Sequence, residues 1–120
     1  MKVMLVDDDR TMRTILKTLL ELEKYSVVVW DALPTSDIVE QIRLEKPDLV
    51  LMDVHLKEIN GLDILRQLRL AEPQISNTCV LMTSGMDLRD QCKSAGANGF
   101  LLKPYMPDDL FQQILSLASS

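Results

Sequence analysis

Six polar side chains follow four short apolar runs of this 120-residue sequence, each where a run ends. In chain order they are Asp7, Asp8, Asp9, Asp53, Thr83 and Lys103. Aspartate oxygens are hard ligands of the kind Mg²⁺ binds in proteins, often together with substrate phosphate oxygens. A lysine and a hydroxyl beside such a metal can neutralise and hydrogen-bond a phosphoryl group. If the fold brings these residues together, we expect a site for a divalent metal and a phosphoryl group.

The apolar runs that must position these side chains alternate with helix-like segments. The predicted strands are Lys2–Val6, Ser26–Trp30, Asp48–Met52, Thr78–Met82 and Gly99–Leu102. Short, aliphatic and mostly unalternated runs are typical of strands buried on both faces. Between them the apolar residues take a helical spacing, most clearly over 12–20 and 110–118. Each connection is long enough for a helix, which predicts parallel strands.

The predicted fold class is therefore α/β, a doubly wound sheet of five parallel strands with five helices, for which 2-1-3-4-5 is the commonest strand order at this size. Sheets of this class bind ligands at the carboxyl ends of their strands, where the polar residues would meet. The fourth predicted helix has a thin apolar stripe made of Leu88, Cys92 and Ala95. We expect it to be the most easily displaced element on the ligand side.

Length, charge and composition narrow the class of protein. The length predicts one domain over residues 1–120. A formal net charge of -5 without a Lys/Arg cluster argues against direct nucleic-acid binding. No apolar stretch approaches the ~20 residues of a membrane span, and Cys79 and Cys92 have no metal-binding or redox spacing. We expect a cytoplasmic protein that does not contact the membrane.

Aspartates gathered at one sheet edge repel each other, which raises the pKa of at least one unless a cation is present. Asp53 lies far from Asp7 in sequence but would face it from the adjacent strand. Beside a metal, such an aspartate can act as a nucleophile and form an aspartyl phosphate. With Thr83 and Lys103 as charge stabilisers, the parts needed for phosphoryl transfer are present.

The chain resembles the receiver domain of two-component response regulators over essentially its full length. The matching motifs are Leu5-Val6-Asp7-Asp8-Asp9, Pro47-Asp48-Leu49-Val50-Leu51-Met52-Asp53, Asn60-Gly61-Leu62, Leu81-Met82-Thr83-Ser84, Gly96-Ala97 and Lys103-Pro104-Tyr105. The segment Thr11-Met12-Arg13 is similar to chemotaxis-type receivers.

This resemblance implies that Asp53 accepts a phosphoryl group from the phosphohistidine of a sensor histidine kinase or phosphotransfer protein. The implied Mg²⁺ ligands are Asp7, Asp8, Asp53 and the backbone carbonyl of His55. Thr83 would move to bond a phosphoryl oxygen, and Lys103 would pair with the same group. The protein would then be no enzyme in the usual sense, since it would catalyse only its own phosphorylation and dephosphorylation.

The resemblance also implies a switch and an output surface. Phe100 stands where the family keeps an aromatic side chain that swings inward on activation. The output surface would be the face of the fourth helix, fifth strand and fifth helix, which would contact a downstream effector or output domain. A phosphorylation-dependent homodimer through this face is a further possibility.

Several positions depart from the family pattern. Lys57 stands where many receivers have proline, which leaves the loop less restricted and adds a positive charge near the site. Leu33-Pro34-Thr35 replaces the usual Asn-Gly start of the second helix, followed by Ile38 where a small residue is common. Met106 replaces a Ser or Thr cap before Pro107. None of these changes removes a group that the chemistry requires.

Two other functions are kept as alternatives. A pseudo-receiver would bind partners without being phosphorylated. A phosphohydrolase of the haloacid dehalogenase type also uses an aspartate nucleophile and Mg²⁺, but its general acid would be an aspartate where this chain has His55. We interpret the His55 side chain as a bystander or rate modulator at the rim of the site. Asp9 is interpreted as a turn residue at a helix start.

Overall fold

The computed structural model describes residues 1–30 and 37–118, which form one parallel sheet with helices on both faces. Its strands are β1 (Lys2–Val6), β2 (Ser26–Val29), β3 (Leu49–Asp53), β4 (Cys79–Ser84) and β5 (Gly99–Leu102). They lie in the order β2-β1-β3-β4-β5, and each neighbouring pair is parallel. The predicted fold class and strand order are confirmed.

The described residues contain six helices, one more than the five predicted. They are α1 (Arg10–Leu22), α2 (Ile38–Glu45), α3 (Gly61–Arg69), α4 (Pro73–Ser76), α5 (Arg89–Ala95) and α6 (Pro107–Ala118). The additional helix α4 is one turn long, and only Ile75 of its four residues is a buried apolar side chain. So short a segment has no periodicity to detect. The predicted output face therefore corresponds to α5, β5 and α6. None of these helices combines the length and apolar character needed to cross a bilayer.

Two apolar cores cover the two faces of the sheet. Along β1, Met4 and Val6 enter a cluster with buried residues of α2, α3 and α5. Val3 and Leu5 point to the other face and pack with residues of α1 and α6. Because strand neighbours project to opposite faces, both sets of side chains must be apolar. This double burial explains why the strand sequences do not alternate.

Polar side chains fix where the helices begin. The Asp9 carboxylate accepts a hydrogen bond from the N–H of Met12 at 3.1 Å, which makes Asp9 the N-cap of α1 as expected. At α6, Met106 supplies no cap, and the Asp109 carboxylate instead accepts the Met106 N–H at 3.0 Å. This is the second half of a capping box, present without the first. The departure predicted at Leu33-Pro34-Thr35 lies outside the described residues.

Candidate functional site

Strand register brings the predicted site residues to one edge of the sheet. Val6 of β1 is paired with Met52 of β3, so Asp7 leaves β1 beside the end of β3 at Asp53. Asp53 in turn is paired with Thr83 of β4. The main-chain N–H of Lys103 donates to the carbonyl of Ser84 at 2.8 Å, which fixes the lysine directly after β5.

The Lys103 side chain contacts the carboxylates of both Asp7 and Asp53. Its Nζ donates a hydrogen bond to Asp53 Oδ2 at 2.8 Å and lies 3.6 Å from Asp7 Oδ2. The side chains of Asp7 and Asp53 are only 8% and 11% exposed, and that of Lys103 is 25% exposed. Because one ammonium faces two largely buried carboxylates, negative charge is in excess at the centre of the site.

Burial and the neighbouring charges shift the pKa values of two of these residues. Burial raises the pKa of Asp7, and the nearby Asp53 and Asp8 carboxylates add to the rise against the opposing effects of the Asp9 N–H and the Lys103 charge. Burial alone would lower the pKa of Lys103, but its hydrogen bond to Asp53 and the charges of both carboxylates outweigh it and raise that pKa. Lys103 is therefore a charged ammonium at neutral pH.

The Asp8 carboxylate contacts the loop after β3, whereas Asp7 and Asp53 contact Lys103. Its Oδ2 accepts a hydrogen bond from the main-chain N–H of Lys57, in the loop after β3. Over residues 1–30 and 37–118, no three acidic, imidazole or thiol groups converge as a ready-made metal cage. Mg²⁺ does not need such a cage, since it usually keeps several waters and takes one or two carboxylates. The donor chemistry and the excess charge at Asp7 fit this cation.

The loop after β3 also orients the predicted phosphoacceptor. The main-chain N–H of His55 donates to Asp53 Oδ1 at 3.1 Å, while the imidazole is exposed. Both oxygens of Asp53 thus have a donor, one from Lys103 and one from its own loop. The side chain is held in a fixed orientation at the end of β3.

Gly61 is a positioning residue whose role the sequence did not reveal. A Cβ on this residue would lie 2.4 Å from the carbonyl oxygen of Asp53, well inside a normal contact. The Gly61 N–H donates to the Val54 carbonyl at 2.7 Å, so the start of α3 is packed directly against the end of β3. The motif Asn60-Gly61-Leu62 was the available signal, but the motif alone did not indicate this close approach.

The predicted switch residues lie on β4 and β5. Thr83 is buried, and its neighbour Ser84 is committed to a turn, since its Oγ accepts the Met86 N–H at 3.0 Å. Phe100 is also buried, and the guanidinium carbon of Arg89 lies 5.5 Å from its ring centroid. This cation–π contact joins α5 to β5 and was not foreseen from the sequence.

A doubly wound sheet with this carboxyl-end cluster is the flavodoxin-like receiver architecture. Residues 3–115 match the family model described as response regulator receiver domain. The chain therefore belongs to the response regulator receiver domain family.

Curated relatives agree with this assignment. The chain is similar to a nitrate/nitrite response regulator protein homolog of Haemophilus influenzae, with 35% identity over 98% of the chain and 57% of that protein. It is also similar to the chemotaxis protein CheY of Thermotoga maritima, with 29% identity over 94% of the chain and 93% of that protein. The chain thus spans a little over half of the Haemophilus relative and nearly all of the Thermotoga one.

Solved structures show the same fold. The BeF3-activated N-terminal receiver domain of RstA from Klebsiella pneumoniae matches with a TM-score of 0.85 and 27% identity, over 100% of both chains. The receiver domain of a sensor histidine kinase from Pseudomonas aeruginosa matches with a TM-score of 0.83 and 23% identity, over 99% of this chain and 98% of that one. The second structure has a magnesium ion coordinated in its active-site cleft.

Proposed function

We propose that this chain is the phosphoacceptor of a two-component phosphorelay and that Asp53 receives the phosphoryl group. The donor is the phosphohistidine of a sensor histidine kinase or phosphotransfer protein. The observation that carries the proposal is the position of Lys103 Nζ, 2.8 Å from Asp53 Oδ2 and 3.6 Å from Asp7 Oδ2. A cation held between two largely buried carboxylates is placed to stabilise added negative charge on either of them.

The transfer step follows from this arrangement. An Asp53 carboxylate oxygen forms a bond to phosphorus while the phosphorus–nitrogen bond of the phosphohistidine breaks, and the leaving imidazole nitrogen takes up a proton from solvent. Lys103 neutralises a phosphoryl oxygen, and the Thr83 hydroxyl donates to another. Reaction of the acyl phosphate with water reverses the modification. We propose no other catalytic activity for the chain.

The proposed metal ligands are Asp7, Asp8, Asp53 and the backbone carbonyl of His55. When bound, Mg²⁺ supplies positive charge close to the phosphoryl oxygens and offsets the repulsion among the carboxylates. Burial is the main cause of the raised pKa of Asp7, and the Asp53 and Asp8 carboxylates add to it. The magnesium-containing receiver domain of the Pseudomonas kinase supports this choice of cation.

The proposed output surface is the face formed by α5, β5 and α6. Phe100 lies on it beneath Arg89, and cavities of about 390 and 320 Å³ flank this pair. We propose that phosphorylation draws Thr83 toward the phosphoryl group and changes the packing of Phe100, so that an effector or output domain, or a second copy, binds this face. The domain has a net charge of -5, and we propose that it contacts other proteins rather than nucleic acid or a membrane. We propose the cytoplasm as its location.

The proposal is tested with a small acyl phosphate as the phosphoryl donor. The protein is incubated with acetyl phosphate and Mg²⁺, and its intact mass is measured. We expect one labile phosphoryl adduct, absent from Asp53→Asn and strongly reduced by a chelator. Asp63→Asn is the matched control, because Asp63 is an exposed carboxylate on α3 that should leave the adduct unchanged.

The same measurement separates the alternatives. A pseudo-receiver would give no adduct in any condition. A phosphohydrolase would release phosphate over many turnovers without accumulating an adduct. An adduct that survives Asp53→Asn would contradict the assignment of the phosphoacceptor.

A further inference from the structure

The loop after β3 holds the carboxylate of Asp8. The donor is the main-chain N–H of Lys57, which lies 49 positions further along the chain. The lysine side chain is exposed, and the contact needs only its amide. Any residue except proline could make this contact, since only proline lacks the N–H.

The base of this loop (residues 54–60) is closed without Asp8. The Gly61 N–H donates to the Val54 carbonyl at 2.7 Å, and His55 forms an antiparallel bridge with Asn60. At the tip, Lys57 and Glu58 are exposed. The Asp8 contact ties this exposed tip to the loop that follows β1.

The Asp8 carboxylate has a different partner from the other two carboxylates. Asp7 and Asp53 share Lys103, whereas Asp8 is bonded to the loop tip, and no three potential ligand side chains of the described ranges converge. The Lys57 N–H occupies only Oδ2 of Asp8, and a cation shared with Asp53 would draw the whole carboxylate toward Asp53 and away from the Lys57 amide. One hydrogen bond is then exchanged for one metal–oxygen bond.

We propose that the main-chain N–H of Lys57 competes with Mg²⁺ for Asp8, so that metal binding frees the tip of the loop that carries His55. This inference rests on the proposed function, which makes Asp8 a metal ligand. A hydrogen bond to a carboxylate is among the stronger ones in proteins, so its loss lowers the net affinity for the metal. The loop tip is consequently ordered in the metal-free protein and freer in the metal-bound one.

Two substitutions at one position isolate the N–H. Lys57→Pro and Lys57→Ala both remove the ammonium charge, but only proline removes the donor. Mg²⁺ affinity is measured by isothermal titration calorimetry on chelator-stripped protein at constant ionic strength. We expect Lys57→Pro to bind about tenfold more tightly than Lys57→Ala, the fold-change equivalent to one hydrogen bond to a charged group. Equal affinities overturn the inference.

A measurement on the unsubstituted protein covers the case in which proline disrupts the loop. The exchange of the Lys57 amide hydrogen is followed by nuclear magnetic resonance with and without saturating Mg²⁺. We expect this amide to exchange faster in the metal-bound protein, while the Gly61 amide at the loop base keeps its protection. Unchanged exchange at Lys57 on metal binding overturns the inference whatever the proline variant does.

Failure of the proposed function has a different signature. If no form of the protein binds Mg²⁺ saturably, both the metal site and the competition are wrong. If Mg²⁺ binds and Asp53 is phosphorylated, but the two Lys57 variants do not differ, only the competition is wrong.

Discussion

Arg69 of α3 is hydrogen-bonded to Gly96, which follows α5, and packs closely against it. The Arg69 Nε donates to the Gly96 carbonyl at 2.9 Å, and a Cβ on Gly96 would lie 2.9 Å from Arg69 Cγ. Gly96 also has a φ of 106°, which side chains rarely adopt. The pair joins the C-terminal ends of two helices on the same face of the sheet, at the end opposite Asp53.

We expect Arg69→Ala to lower the free energy of unfolding by about 2–4 kcal/mol, because it removes a half-buried hydrogen-bonding centre. Besides Gly96, the guanidinium donates to the carbonyls of Ser76 and Thr78 and to Asn98. Urea denaturation measures the change. Arg66→Ala, which removes an exposed arginine one turn earlier, should cost less than about 0.5 kcal/mol. Similar losses for both variants would contradict this role of Arg69.

The two glycines nearest the site give a second matched pair. A Cβ at Gly61 would collide with the Asp53 carbonyl, whereas a Cβ at Gly85 would meet nothing within 4 Å. We expect Gly61→Ala to destabilise the protein by roughly 2–4 kcal/mol and to slow phosphorylation, because the end of β3 must shift. Gly85→Ala should leave stability within about 0.5 kcal/mol of the unsubstituted protein. Thermal denaturation and the rate of adduct formation check both variants, and equal behaviour would refute the argument.

Asp7 should be a destabilising residue in the metal-free protein. Its pKa is raised, chiefly by burial, so the folded state binds its proton more tightly than the unfolded state does. The resulting penalty is absent below the unfolded value of 3.8 and grows as pH rises from there through the raised folded pKa. We therefore expect Asp7→Asn to raise the urea midpoint at neutral pH in the presence of a chelator. The gain should shrink as the pH is lowered, and a lower midpoint for Asp7→Asn at neutral pH would be the contrary result.

Tyr105 gives a second expectation of pH dependence. Burial, followed by the charges of Asp7 and Asp53, raises the pKa of Tyr105 from 10.0 to about 12. Its contribution to stability is present below pH 10.0 and is lost as pH rises through about 12, because the folded state retains the proton longer. The near-ultraviolet absorbance of the phenolate should show a late step that Tyr105→Phe removes. A Tyr105 step at the ordinary value would contradict the expectation.

The fold and the position of the site could be predicted because both depend on strong local patterns. Residues such as Met4 and Leu5 face opposite cores, so the strand reads as a continuous apolar run. A parallel sheet then places all strand ends with the same polarity at one edge. For that reason Asp7, Asp53 and Lys103 could be grouped from the sequence alone, although no hydrogen bond between them could be foreseen.

The missed features depend on contacts between residues distant in sequence or on single turns. The Lys57 amide and Asp8 are brought together by the loops of two different strands, and nothing in either local sequence indicates the bond. Arg69 reads as one more charged helix residue until its carbonyl partners are known. The four residues of α4 are too few to show a period.

Gly61 and Gly85 show that the two sides of the site differ in how closely they are packed. On one side, the main chain of Asp53 is backed by the first residue of α3 with no space to yield. On the other side, the turn that leads from β4 to α5 is open around Gly85. The packing around the site is therefore close between Asp53 and α3 and open between β4 and α5. The free space beside the site thus lies on the side of β4 and α5, where the proposed output face begins.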